Sequence, residues 1–171
     1  MKATLKILLP ILAVSLIAFS CSKDDNQGQT QLKIRLTDNP FDATEVNVEI
    51  LKVRVNLSDD SSGWRDLDTY AGIYNLLELQ DGVDTLLAQG TVPTGTLKEI
   101  RFVLGDENSI MIENVLYPLT IPSGGESGLK IKLNRQLNAS IDSLQIDFDA
   151  EMSILQTGTG EYKLKPVLKI N

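Results

Sequence analysis

The chain has 171 residues, 42% hydrophobic and 23% charged, with 16 Lys and Arg against 23 Asp and Glu. That length suits one domain with its own core, and a net charge of −7 argues against nucleic acid, whose phosphates need a basic face. Histidine is absent, which excludes Ser-His-Asp and Cys-His catalysis, histidine-ligated metals and histidine acid–base chemistry.

Lys2 and Lys6 lead into an apolar run from Ile7 to Phe19, interrupted only by Pro10 and Ser15. A bilayer-spanning helix takes about 20 apolar residues, so this shorter run reads as the core of a secretory signal over residues 1–20. Ser20 stands directly before Cys21, the one cysteine of the chain, which has no partner for an intrachain disulfide. Ala18-Phe19-Ser20-Cys21 resembles a bacterial lipobox. The resemblance implies cleavage before Cys21 and attachment of fatty chains such as palmitate to it. Each buried methylene contributes roughly 0.8 kcal/mol, so two or three chains hold a protein to a membrane stably. Cleavage there leaves 14 basic against 23 acidic groups, a charge of −9, so attachment is expected to rest on acyl chains and not on basic residues.

Lys23, Asp24 and Asp25 follow, in a stretch without apolar residues that runs to Thr30. Such composition cannot bury enough surface to order itself, so residues 21–30 are expected to be a flexible tether. Lys23-Asp24-Asp25 also resembles the lipoprotein export signal of Bacteroidetes, which implies an outer-membrane lipoprotein facing the cell exterior.

Beyond the tether, residues 31–171 read as a single domain in which apolar and polar residues alternate, the pattern of half-buried strands. Leu32, Ile34 and Leu36 make the first stripe. Val46, Val48 and Ile50 make the second, and the phase then flips to Val53 and Val55, which predicts a bulge near Ile50–Leu51. Ile73 to Gln89 carries the one helix-like pattern, cut by Asp81-Gly82, and predicts one or two short helical turns. Ile100, Phe102 and Leu104 resume the alternation. Ile110 and Ile112 are divided from Leu119 and Ile121 by Glu113-Asn114, a predicted hairpin turn. Leu129, Ile131 and Leu133 follow, and then a long stripe from Leu144 to Ile154. Pro166 marks an edge strand or a register break in the last run. About eight short strands punctuated by Gly, Pro, Asn and Asp predict an all-β fold, an antiparallel β-sandwich.

Several segments together resemble the domain-of-unknown-function family 4382: Leu36-Thr37-Asp38-Asn39-Pro40, Pro93-Thr94-Gly95, Pro122-Ser123-Gly124 leading to Ser127-Gly128-Leu129, Asp147-Phe148-Asp149-Ala150, and Tyr162-Lys163-Leu164-Lys165-Pro166. The resemblance covers about residues 31–170. It implies a β-sandwich of a bacterial envelope lipoprotein and brings no established activity.

Within the stripe from Leu144 to Ile154, Asp147, Asp149 and Glu151 fall on one face of the predicted strand, about 6.5–7 Å apart. Three aligned carboxylates need cations, either Ca²⁺ or the rows Lys130/Lys132 and Lys163/Lys165, and a charge-paired solvent face is the expected arrangement. No EF-hand spacing is present, since Met152 stands where that loop needs glycine. Asp59-Asp60 and Asp106-Glu107-Asn108 read as turn formers. Ser123 and Ser127 lack both a histidine and the glycine spacing of a nucleophile elbow. Trp64, Tyr70, Tyr74, Tyr117 and Tyr162 are expected to pack at the core or its rim, with stacking on sugars as the functional alternative.

These readings lead to a non-catalytic envelope lipoprotein, a binding or structural module without a cofactor. Its partners would be the membrane, through Cys21, and an envelope protein or carbohydrate. The alternatives are a Ca²⁺-stabilised adhesion module and, behind it, a glycosidase acting through paired carboxylates.

Overall fold

The computed structural model describes residues 28–39, 43–122, 129–138 and 140–171. Cys21, Lys23, Asp24 and Asp25 lie outside the described residues, as do Ser123 and Ser127. The described strands are β1 (Gln29–Thr37), β2 (Glu45–Asn56), β3 (Trp64–Asp66), β4 (Asp68–Thr69), β5 (Gly72–Asn75), β6 (Thr85–Pro93) and β7 (Gly95–Leu104). They continue with β8 (Ser109–Ile112), β9 (Val115–Thr120), β10 (Leu129–Leu137), β11 (Ile141–Phe148), β12 (Ile154–Gln156), β13 (Tyr162–Leu164) and β14 (Leu168–Ile170). One helical turn, α1 (Ala150–Ser153), and two 3₁₀ turns, Ser61–Gly63 and Leu76–Leu79, complete the elements.

The strands form an all-β, sandwich-like fold of two sheets. The smaller sheet has the order β14-β11-β1-β6-β4; the larger runs β10-β7-β2-β8-β9-β13-β12, with β3 and β5 also paired to β2. Both sheets give their apolar stripes to one core. Leu32, Ile34 and Leu36 of β1 are wholly buried there, as are Val53 and Val55 of β2 and Phe102 of β7. Each such side chain contributes roughly 1.5–3 kcal/mol by leaving water, so the stripes fix which face of each strand points inward.

The phase flip in β2 is a bulge: its register with β7 shifts between Ile50 and Lys52, and Leu51 is turned outward at 46% exposure. Glu113 and Asn114 join β8 to β9 with φ of 48° and 63°, the left-handed pair that a two-residue hairpin needs to match strand twist. Pro166 falls between β13 in the larger sheet and β14 at the edge of the smaller one. The ring that cannot donate to a ladder thus sits where the chain changes sheets.

Other expectations are corrected. Among the described residues fourteen short strands stand where about eight were predicted, and two pairs are parallel: β1 with β11 from Gln31↔Ile141 to Thr37↔Asp147, and β13 with β9. Alternation gives the faces of a strand but neither its neighbour nor its direction. The expected bound between tether and domain at Thr30 is moved, because Gln29 and Thr30 already belong to β1 and pair with Pro93 and Val92. The segment from Ile73 to Gln89 does hold one short helical turn as expected, Leu76–Leu79, while Ile73 belongs to β5 and Leu86 and Leu87 to β6. The long stripe after Leu144 is not one strand. It stops at Phe148, where Asp149 accepts a hydrogen bond from the Met152 N–H and caps α1.

Candidate functional site

The parallel pairing of β1 with β11 sets Thr37 beside Asp147, so the two chains leave the sheet at the same end. Asp38 accepts the Ala150 N–H at 2.9 Å and the Gln80 amide at 3.4 Å. Asn39 Nδ2 donates to Asp147 Oδ2 at 2.6 Å. Asp149 caps α1 and forms an ion pair with Lys169, and Lys169 lies opposite Asp147 in the β11–β14 register.

Asp38, Asp147 and Asp149 are all buried, and Asp147 Oδ1 has no hydrogen-bond partner among the described residues. Burial pushes Asp38 up to about 6 against the Ala150 N–H and Gln80 bonds that oppose it, and the Asp147 charge adds to the rise. Burial and the neighbouring Asp149 charge also raise Asp147. Burial works against Asp149 ionising too, yet Lys169, the Met152 N–H and Asn39 together hold it below the usual carboxylate range.

The expected row of Asp147, Asp149 and Glu151 on a solvated face is therefore corrected. Asp147 and Asp149 turn inward beneath the Asp38–Asn39 segment, while Glu151 sits exposed on α1. Their cation is Lys169; Lys130 and Lys132 belong to β10 of the other sheet, and Lys163 to β13. Among the described residues, no group of three or more Cys, Asp or Glu is placed to hold a metal ion. The acidic loop tips act as turn formers. Asp60 accepts from the Ser62 N–H at 2.8 Å, and Asn108 Nδ2 donates to the Gly105 carbonyl at 2.7 Å.

A different constellation occupies the outer face of the larger sheet. Arg54 of β2, Arg101 of β7 and Lys130 of β10 are direct neighbours in register, on strands about 4.8 Å apart. Like charges directly opposite one another destabilise a sheet. The acid in this row is at its far end, where Asp66 of β3 takes Arg54 at 2.5 Å and is shared with Lys52 at 2.9 Å. The next row is Asn56, Glu99 and Lys132.

Trp64 pairs with Asn56 in register. Its ring carries the Arg101 guanidinium 4.4 Å from the centroid and that of Arg54 at 5.7 Å, within the range of cation–π attraction. Arg101 Nε is buried and makes no hydrogen bond among the described residues. The segment from Leu57 to Gly63 forms one wall. Asn56 anchors it, donating to the Asp60 carbonyl at 3.0 Å and accepting from the Ser58 N–H at 3.1 Å. Ser62 and then Ser58 hold the Asp60 carboxyl below its ordinary range. Lys98 reaches Asp59 at 2.9 Å. These groups enclose a groove of about 430 Å³, open to solvent, with Lys130, Lys132 and Leu133 along its other side.

Of the aromatic residues read from the sequence, Trp64 lines this groove half-buried. Tyr117 and Tyr162 pack on each other with centroids 5.1 Å apart, and the Tyr74 hydroxyl donates to the Tyr70 carbonyl. Arg54 and Arg101 carried no signal of their own in the sequence. They occupy the polar positions of ordinary strand stripes, and the pairing of β2, β7 and β10 makes them a row.

Fold and site define a histidine-free β-sandwich domain with a polar, cation-lined groove on one sheet. The chain belongs to the family described as a domain of unknown function (DUF4382), whose model matches residues 29–166, from β1 through β13. No curated protein and no solved structure matches it.

Proposed function

We propose that this protein is a non-catalytic lipoprotein of the outer membrane, held by acyl chains on Cys21 and facing the cell exterior, and that its sandwich is a binding module. The groove beside Trp64 is the binding surface. The observation that carries this reading is the row Arg54, Arg101 and Lys130. Three cations face one another across neighbouring strands of a chain whose net charge is −7. The arrangement costs stability in the free protein and is relieved by a ligand that brings negative charge to it.

Ser20-Cys21 and Lys23-Asp24-Asp25 support the anchor and the export. The absence of histidine from the chain and the engagement of Asp38 and Asp149 with backbone N–H groups support a role without catalysis. Labelled palmitate fed to cells is expected to enter the wild-type protein and not Cys21→Ala, which leaves the membrane fraction. Protease added to intact cells is expected to degrade the wild type. A soluble periplasmic protein with a free thiol overturns the proposal.

A further inference from the structure

We infer that the groove beside Trp64 takes an acidic saccharide, a sugar chain bearing carboxylate or sulfate groups that settle on Arg101 and Lys130. This rests on the reading of the groove as a binding surface and adds the class of ligand. Neither Arg101 nor Lys130 has an ion-pair partner among the described residues, whereas Arg54, Lys52 and Lys98 do. The Arg101 guanidinium is held against the indole with Nε buried. Its planar fork is thereby fixed in place, which favours paired hydrogen bonds to a carboxylate or sulfate over binding of a diffuse charge.

The acids in the same groove narrow the class. Asp59, Asp60 and Glu99 line it beside Lys98, Arg101, Lys130 and Lys132. A uniformly anionic chain, such as a polyglutamate or a nucleic acid, meets three carboxylates as well as four cations. A sugar chain spaces its acidic groups with hydroxyls, and the Glu99 carboxylate offers an acceptor for those. The volume of about 430 Å³ is that of a small-ligand site. Among the described strands β10 is the last of its sheet, and a polymer can run past the groove at that edge.

Trp64 is the one tryptophan in the chain, so tryptophan emission, excited selectively over tyrosine, reports on this groove. The full-length mature protein is titrated with hexagalacturonate, with its methyl ester, with a sulfated carrageenan hexasaccharide and with hexaglutamate. Saturable change in Trp64 emission is expected with at least one of the acidic sugars, weakened by about tenfold or more in Arg101→Gln and in Lys130→Gln and weakened by added salt. Melting curves confirm that both variants fold. Lys130 is exposed on the sheet surface, so its variant keeps the test sound should Arg101→Gln be destabilised.

No saturable change with either acidic sugar overturns the inference. So does equal binding of the neutral ester or of hexaglutamate. Unchanged sugar affinity in a Lys130→Gln protein that self-associates assigns Lys130 to protection of a sheet edge instead. A crosslinked envelope partner that is still lost in Arg101→Gln cells, with no sugar bound, removes only the ligand class. Absence of both removes the binding surface as well.

Discussion

Asp38 titrates near 6 because burial disfavours its charge more than the Ala150 N–H and Gln80 restore it. In the unfolded chain the same carboxyl titrates near 3.9. Between about pH 4 and 6 the unfolded chain releases a proton that the folded protein keeps. The stability from this residue is thus fully present below pH 4 and lost as pH rises through 6. Asp147, also raised, acts in the same direction, while Asp149, held low, loses its contribution only as pH falls below the ordinary carboxylate range. The melting temperature is expected to fall between pH 4.5 and 7.5. In Asp38→Asn, which keeps an acceptor for Ala150, that slope flattens and stability at pH 7.5 rises by up to about 3 kcal/mol; scanning calorimetry at the two pH values checks both. The titration was not legible from the residues. Asp147 and Asp149 alternate with Phe148 and so read as facing away from the core stripe, whereas Asp38 continues the phase of Leu32, Ile34 and Leu36. What buries them is a segment more than a hundred residues away in the chain.

Short elements show how far local signals reach. The Glu113-Asn114 turn was legible because a polar pair between two apolar stripes of equal length has few alternatives, and both residues adopt positive φ. Glutamate is poorly suited to that region, so Asn-Gly in place of Glu113-Asn114 is expected to stabilise the protein by about 1 kcal/mol in urea unfolding. The helical turn α1 was not legible. Its alternation continues that of β11, and the ladder breaks where the Ala150 N–H turns to Asp38 and the Met152 N–H to Asp149.

The wall of the groove depends on Gly63. A Cβ there would lie 2.7 Å from the Ser58 backbone nitrogen and closer still to the Asn56 and Ser58 side chains, so the turn from Leu57 to Gly63 has to shift. Gly63→Ala is expected to cost about 1–3 kcal/mol and to change the Trp64 emission of the folded protein, since the wall and the indole share Asn56. Urea melts followed at that emission read both effects.

At the scale of the molecule, period-two alternation was sufficient for an all-β sandwich, because apolar stripes on many short strands have to be buried against one another. The division into two sheets and the parallel contact of β1 with β11 depend on pairings distant in sequence, and no local pattern encodes them. The groove belongs with those. Arg54, Arg101 and Lys130 come from three separate stripes, and their row exists only once β7 lies between β2 and β10.

The Gly28 carbonyl accepts the Thr94 N–H at 2.7 Å, immediately before β7 begins. Lys98, Glu99 and the wall that follows Asn56 are therefore at the end of the sandwich where the chain enters, and the buried carboxylates are at the opposite end. Under the lipidation proposed for Cys21, six residues would separate lipid from Gly28, a reach of at most about 25 Å. The groove would then sample the layer just above the headgroups. Molecules rooted in that layer would always be in range, whereas those in the medium would have to come down to it, so height above the bilayer would become a filter on what the protein meets.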